Sequence, residues 1–187
     1  MTLILAVLLR LSVPAFAGAE DRALAADGQH PESVLRLGVA GDTEAIHILE
    51  PLAEERPDSD QTGHAARLAL ARLGVKRYKT ELVKNLSRKK PAAARLRALR
   101  ALGYVGDRAT VRLIAPLLSE KGEVANTAVE ALGDILPQVQ TRLLLSEPLN
   151  PDRAGQWRRW WSDFKDAAPM EYDQPSPGLV PAPPAAP

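Results

Sequence analysis

Among 187 residues there is no cysteine. That excludes disulfides, thiol nucleophiles, Cys-based zinc sites and lipid attachment at a cysteine behind a signal sequence. Aromatic residues are almost as scarce, at 4%, and runs of Val, Ile, Thr and Tyr are few, so strands have little support. No Gly-x-Ser-x-Gly occurs, and the glycine pairs fall in turns of a repeat rather than in a phosphate loop. His30, His47 and His64 share no i, i+4 or similar ligand spacing, which argues against a metal site built from neighbouring ligands. The sequence therefore singles out no catalytic, cofactor-binding or metal-binding residue.

What remains is rich in Ala and Leu. Apolar residues make up 45% of the chain, enough for a core of close-packed helices, and an all-α domain is predicted. At the N-terminus an apolar stretch from Leu3 to Val13 runs into Ala15-Phe16-Ala17. This is the layout of a secretory signal peptide over residues 1–17, too short to span a bilayer permanently. Its removal takes away Arg10 and leaves a formally neutral chain, expected to be periplasmic or secreted in a bacterium. Residues 18–31 form a lead-in. At the other end, seven prolines between Pro169 and Pro187 predict a disordered, extended tail over residues 168–187.

Between these ends the chain repeats itself. Leu37-Gly38-Val39-Ala40-Gly41-Asp42 is answered by Leu102-Gly103-Tyr104-Val105-Gly106-Asp107, 65 residues on, and Pro51-Leu52 by Pro116-Leu117. Two further Leu-Gly pairs stand at Leu73-Gly74 and Leu132-Gly133. The pattern predicts a first helix ending at Leu, a Gly at positive φ, an Asp42 or Asp107 N-cap, and a second helix. Ala69, Leu70 and Leu73 recur as Ala98, Leu99 and Leu102, then as Ala128, Val129 and Leu132. Small residues thus fall where helices approach closely, and large ones at buried-face spacing. The matched prolines predict a bend at a fixed place in each second helix.

Such a two-helix unit buries its apolar face only by stacking on neighbours. The pattern over Glu32 to Glu147 resembles HEAT-like repeats of the phycobilisome-lyase type. The resemblance implies a right-handed α-solenoid of about four helix pairs over residues 32–148, and a non-catalytic role as a protein–protein interaction scaffold in the cell envelope. It also raises a lyase or cofactor-chaperone alternative related to bilin lyases, for which His47, Tyr78 and Tyr104 are the available polar residues.

All three tryptophans follow the repeats, in residues 149–167. Trp157, Trp160, Trp161 and Phe164 are spaced i, i+3, i+4 and i+7 on one helix face. A sugar or base platform, an interfacial membrane helix and a cap on the last repeat compete for this stripe. Its place at the end of the array favours the cap, packed on Leu143, Leu144 and Leu145. Asn150 is read as the N-cap and Pro151 as the first helical residue.

Charge is uneven. From Lys76 to Arg100 ten basic residues face the single acid Glu81, whereas Gly41 to Asp60 is acidic. Either the repeats neutralise one another or the basic band is a docking surface. In the second case Lys76, Arg77, Lys79, Lys84, Arg88, Lys89 and Lys90 are the contact residues. The partner would be an acidic protein, with anionic lipid as the other candidate; export argues against nucleic acid, and the protein itself is expected to be a monomer.

Overall fold

A computed structural model describes residues 18–57, 59–167 and 169–172; the expected signal peptide, residues 1–17, and the tail from residue 173 onward lie outside the described residues. The described chain is helical, with no strand among its residues. The all-α expectation holds at that level. The helices are α1 (Ala19–Asp27), α2 (Pro31–Ala40), α3 (Ile46–Glu55), α4 (Gln61–Arg72), α5 (Lys76–Lys84), α6 (Ala92–Val105), α7 (Val111–Ile114), α8 (Glu123–Ile135), α9 (Pro137–Ser146) and α10 (Arg153–Phe164). Short 3-10 segments stand at Thr43–Ala45, Arg108–Thr110, Ala115–Ser119 and Pro169–Glu171. No described helix is long and apolar enough to cross a membrane. The chain divides into two compact units between Thr80 and Glu81.

In the first unit α4 packs against both α2 and α3, and α1 rests on the same two helices. Val34, Leu37, Leu49 and Leu70 are fully buried among alanines 45, 65, 66 and 69, whose small side chains let the helices come close. In the second unit α6 packs against α8 in the way that α2 packs against α4. Its core joins Leu99, Leu102, Val111, Ile114, Leu118 and Leu132 to the rings of α10.

The 65-residue offset reappears as matched local geometry. α2 ends at Gly41 with φ 71° and α6 at Gly106 with φ 72°. Asp42 then accepts from the Glu44 amide at 3.2 Å, and Asp107 from the Ala109 amide at 2.8 Å, each opening a 3-10 turn that leads into the second helix. The helix ends are therefore not at the Leu-Gly pairs. Gly38, Gly103 and Gly133 lie inside helices, and of the four Leu-Gly glycines only Gly74 has a positive φ. At Gly103 the reason is proximity: a Cβ there would sit 3.1 Å from the Ala131 Cα on α8.

The matched prolines also part company. Pro51 lies inside an unbroken α3, whereas Pro116 is the second residue of the 3-10 segment into which α7 passes after only four residues. The N-terminus of α10 differs too. Asp152, not Asn150, is the N-cap, accepting from the Gly155 amide at 2.7 Å; Asn150 instead accepts from the Asp152 amide at 2.8 Å. Pro151 thus precedes the helix.

The tryptophan helix is a core element of the second unit. It packs on α8 and on Ala115–Ser119. Trp160 sits centrally, with ring centroids 5.3 Å from Trp157, 5.3 Å from Phe164 and 5.7 Å from Tyr172. Of the three leucines expected beneath the stripe, only Leu143 is buried; Leu145 is 76% exposed, because α9 turns that side away from α10. Tyr172, read with the proline-rich tail, is fully buried. Arg112 fixes this return of the chain, donating Nε–H to the Tyr172 hydroxyl at 3.2 Å and Nη2–H to the Ala167 carbonyl at 2.6 Å.

Candidate interaction surface

The seven basic residues singled out by the sequence fall into two groups. Lys76, Arg77 and Lys79 stand on α5 within the first unit. Lys84 ends α5, and Arg88, Lys89 and Lys90 occupy the turn before α6, all within the second unit. Lys79 is half-buried and the other six are exposed.

Arg77 is already engaged. Its Nη2 lies 3.0 Å from Glu50 Oε1 and 2.5 Å from Glu54 Oε1, and its guanidinium stacks over the buried Tyr78 ring at 4.7 Å. The Glu54 carboxylate raises its pKa above the ordinary arginine value. Here the acidic stretch of the sequence does neutralise the basic one.

The second group is arranged differently. The backbone of the turn is tied by hydrogen bonds from the Lys89 amide to Ser87 Oγ at 3.3 Å and from the Lys90 amide to the Ser87 carbonyl at 2.9 Å. From beneath, Arg95 on α6 donates Nε–H to the Leu86 carbonyl at 3.3 Å and Nη2–H to Glu120 Oε1 at 2.6 Å. Arg88 reaches the same Glu120 oxygen at 3.3 Å. With these donors, Arg95 foremost, Glu120 is held below the usual carboxylate pKa. Among the described residues, Lys84, Lys89 and Lys90 have no carboxylate partner.

Arg95 counts in the sequence among the ten basic residues from Lys76 to Arg100, but its burial and its pairing with Glu120 were not expected, although a signal was present. Arg95 falls four residues before Leu99 and seven before Leu102, on the buried stripe of α6, where a charge requires a partner.

The residues of the lyase alternative are dispersed. His47 is exposed on α3 and Tyr78 buried on α5 in the first unit, while Tyr104 is half-buried on α6 in the second. His30 precedes α2 with its ring against Glu32, and His64 is exposed on α4. A cleft of about 350 Å³ does open between α9 and α10. Its chief charge, Glu147, is occupied from within: Arg159 binds both carboxylate oxygens at 2.8 and 2.9 Å, and Asn150 and Gln156 also donate to it. None of the basic residues of the band lines it.

The chain matches no family model, no curated protein and no solved structure. Fold and surface together define an all-α protein that displays an anchored basic turn.

Proposed function

We propose that this protein is an exported, non-catalytic scaffold that binds an acidic protein partner through its basic band. The repeat supports a right-handed α-solenoid of about four HEAT-like helix pairs, closed by the tryptophan helix. In such arrays the surface carries the function while stacked neighbours supply the core. The observation that carries the proposal is the excess of exposed cations over carboxylates between Lys84 and Lys90. A run of like charge is ordinarily neutralised by its neighbours, as Arg77 is by Glu50 and Glu54; in this turn Arg88 reaches Glu120, but Lys84, Lys89 and Lys90 have no carboxylate partner among the described residues. Export, and with it a periplasmic or secreted location, is supported by the apolar run Leu3–Val13 before Ala15-Phe16-Ala17.

The test is recovery of partners by tagged residues 18–187 from envelope extract, at low and moderate salt, beside a variant with the seven basic residues reversed to Glu. A defined protein retained by the wild type and lost by the variant supports the scaffold. Retention that ignores the reversal removes the basic band from the function.

A further inference from the structure

We infer that the turn from Lys84 to Lys90 is a preformed dock for an acidic peptide segment, and that Arg88 exchanges Glu120 for a carboxylate of the partner when it binds. The inference rests on the scaffold proposal and narrows it to residues of the second unit.

Preorganisation is the first argument. Leu86 is buried in the core, and Arg95, itself only 7% exposed, grips the Leu86 carbonyl while it binds Glu120. Leu86 and Arg95 anchor the turn on its inner side, and Lys84, Arg88, Lys89 and Lys90 are all exposed. A surface already ordered loses little freedom on binding.

The second argument concerns Arg88. Its side chain is 77% exposed and shares Glu120 Oε1 with Arg95, which stands closer, at 2.6 Å against 3.3 Å. Glu120 keeps a strong partner if Arg88 leaves, and an exposed ion pair of this kind holds its members weakly. Glu120 also shows what the turn accepts: a carboxylate bound by guanidinium. Arginine forms paired, directional hydrogen bonds with such groups, which a flexible acidic side chain can meet.

The third argument selects the partner class. The exposed large apolar residues among those described are Val39, Leu113, Leu144, Leu145 and Leu149, none of them near this turn in sequence. Surface insertion into a bilayer calls for apolar residues beside the cations, and single-stranded nucleic acid calls for aromatic platforms. Between Lys84 and Lys90 the one large apolar side chain is Leu86, which is buried, and no residue is aromatic. A carboxylate is the group the turn already binds, Arg88 and Arg95 both meeting Glu120, and an acidic peptide presents that group in series.

The experiment uses residues 18–187 and a fluorescein-labelled deca-glutamate peptide at low salt, read by anisotropy. Vesicles of phosphatidylglycerol and phosphatidylcholine are tested in parallel. Lys84→Glu/Lys89→Glu/Lys90→Glu is expected to weaken peptide binding at least about tenfold, and Arg88→Ala to weaken it by several-fold with an unchanged thermal melt. Lys76→Glu/Lys79→Glu is expected to weaken it clearly less than the turn variant does, because at low salt charges a few residues away are only partly screened, and Lys165→Glu, far off in sequence, is expected to change it least. If Lys76→Glu/Lys79→Glu abolishes binding and the turn variant does not, the dock is misplaced while the scaffold proposal stands. If no variant matters, both fall. Binding to the vesicles in preference to the peptide overturns the assigned partner class, and normal affinity in Arg88→Ala overturns the exchange.

Discussion

Gly103 and Gly133 hold equivalent places in the sequence repeat, yet an added methyl group would meet different neighbours. At Gly103 it would press on the Ala131 Cα, part of a backbone that cannot step aside. Gly103→Ala is expected to cost roughly 1–3 kcal/mol, the usual range for overpacking, as read by urea unfolding. At Gly133 the obstacle is the side-chain amide of Gln140, 2.5 Å away and free to rotate. Gly133→Ala should therefore be near neutral, or gain up to about 1 kcal/mol from the better helix former. Equal losses at both sites would refute the assignment of a close α6–α8 approach. Trp160 belongs to the same scale: it is 2% exposed at the centre of five rings. Trp160→Ala should destabilise by roughly 3–5 kcal/mol, as large core aromatics do. For Glu120, a folded pKa below the unfolded one means stability that is present above the unfolded value, about 4.3, and is lost as pH falls through the folded value. The difference in unfolding free energy between wild type and Glu120→Gln should shrink over that acidic window. A difference that stays constant with pH would remove Glu120 from the linkage.

At the scale of elements, the cap of α10 gives the sharpest check. Asp152→Ala should cost about 0.5–2 kcal/mol because the Gly155 amide loses its acceptor, whereas Asn150→Ala should cost less. The reverse order would restore Asn150 as the cap. The sequence located this helix and its buried face but misplaced its start by two residues, since Asn150 and Asp152 are both good caps and only the path of the chain decides between them. The same limit explains the Leu-Gly pairs. Glycine at a helix end and glycine at a helix crossing look alike in sequence; Gly41 and Gly106, three residues on, are the true left-handed ends. Pro51 and Pro116 were legible as matched interruptions, but not as one continuous helix and one broken one. Of the candidate surface, the cations were legible as a run. The Arg95–Glu120 clamp joins residues 25 apart in sequence and becomes visible only once α6 and the end of the Ala115–Ser119 segment are in place.

For the whole molecule the question is whether charge holds the fold or serves the surface. Among the described residues the ion pairs run from the sheltered Arg95–Glu120 and Arg22–Asp42, through the partly sheltered Arg56–Asp60, to pairs with well-exposed members such as Arg77 with Glu54, Arg100 with Glu123 and Arg159 with Glu147. Such exposed pairs contribute little each and are screened by salt, while the buried Leu and Ala side chains of each unit, and the buried Trp side chains of the second, are indifferent to it. Raising NaCl from about 0.05 to about 0.5 M shortens the screening length severalfold, and the thermal midpoint should move by no more than a few degrees. Binding of the acidic deca-glutamate peptide should fall by about tenfold or more over the same range, because its contacts are exposed charges with no apolar component. The two titrations separate the roles. A midpoint that drops steeply with salt would mean that the cations are structural, engaged in holding helices together. A flat midpoint beside salt-sensitive binding would mean that the fold has left the charges of Lys84, Arg88, Lys89 and Lys90 available to a partner.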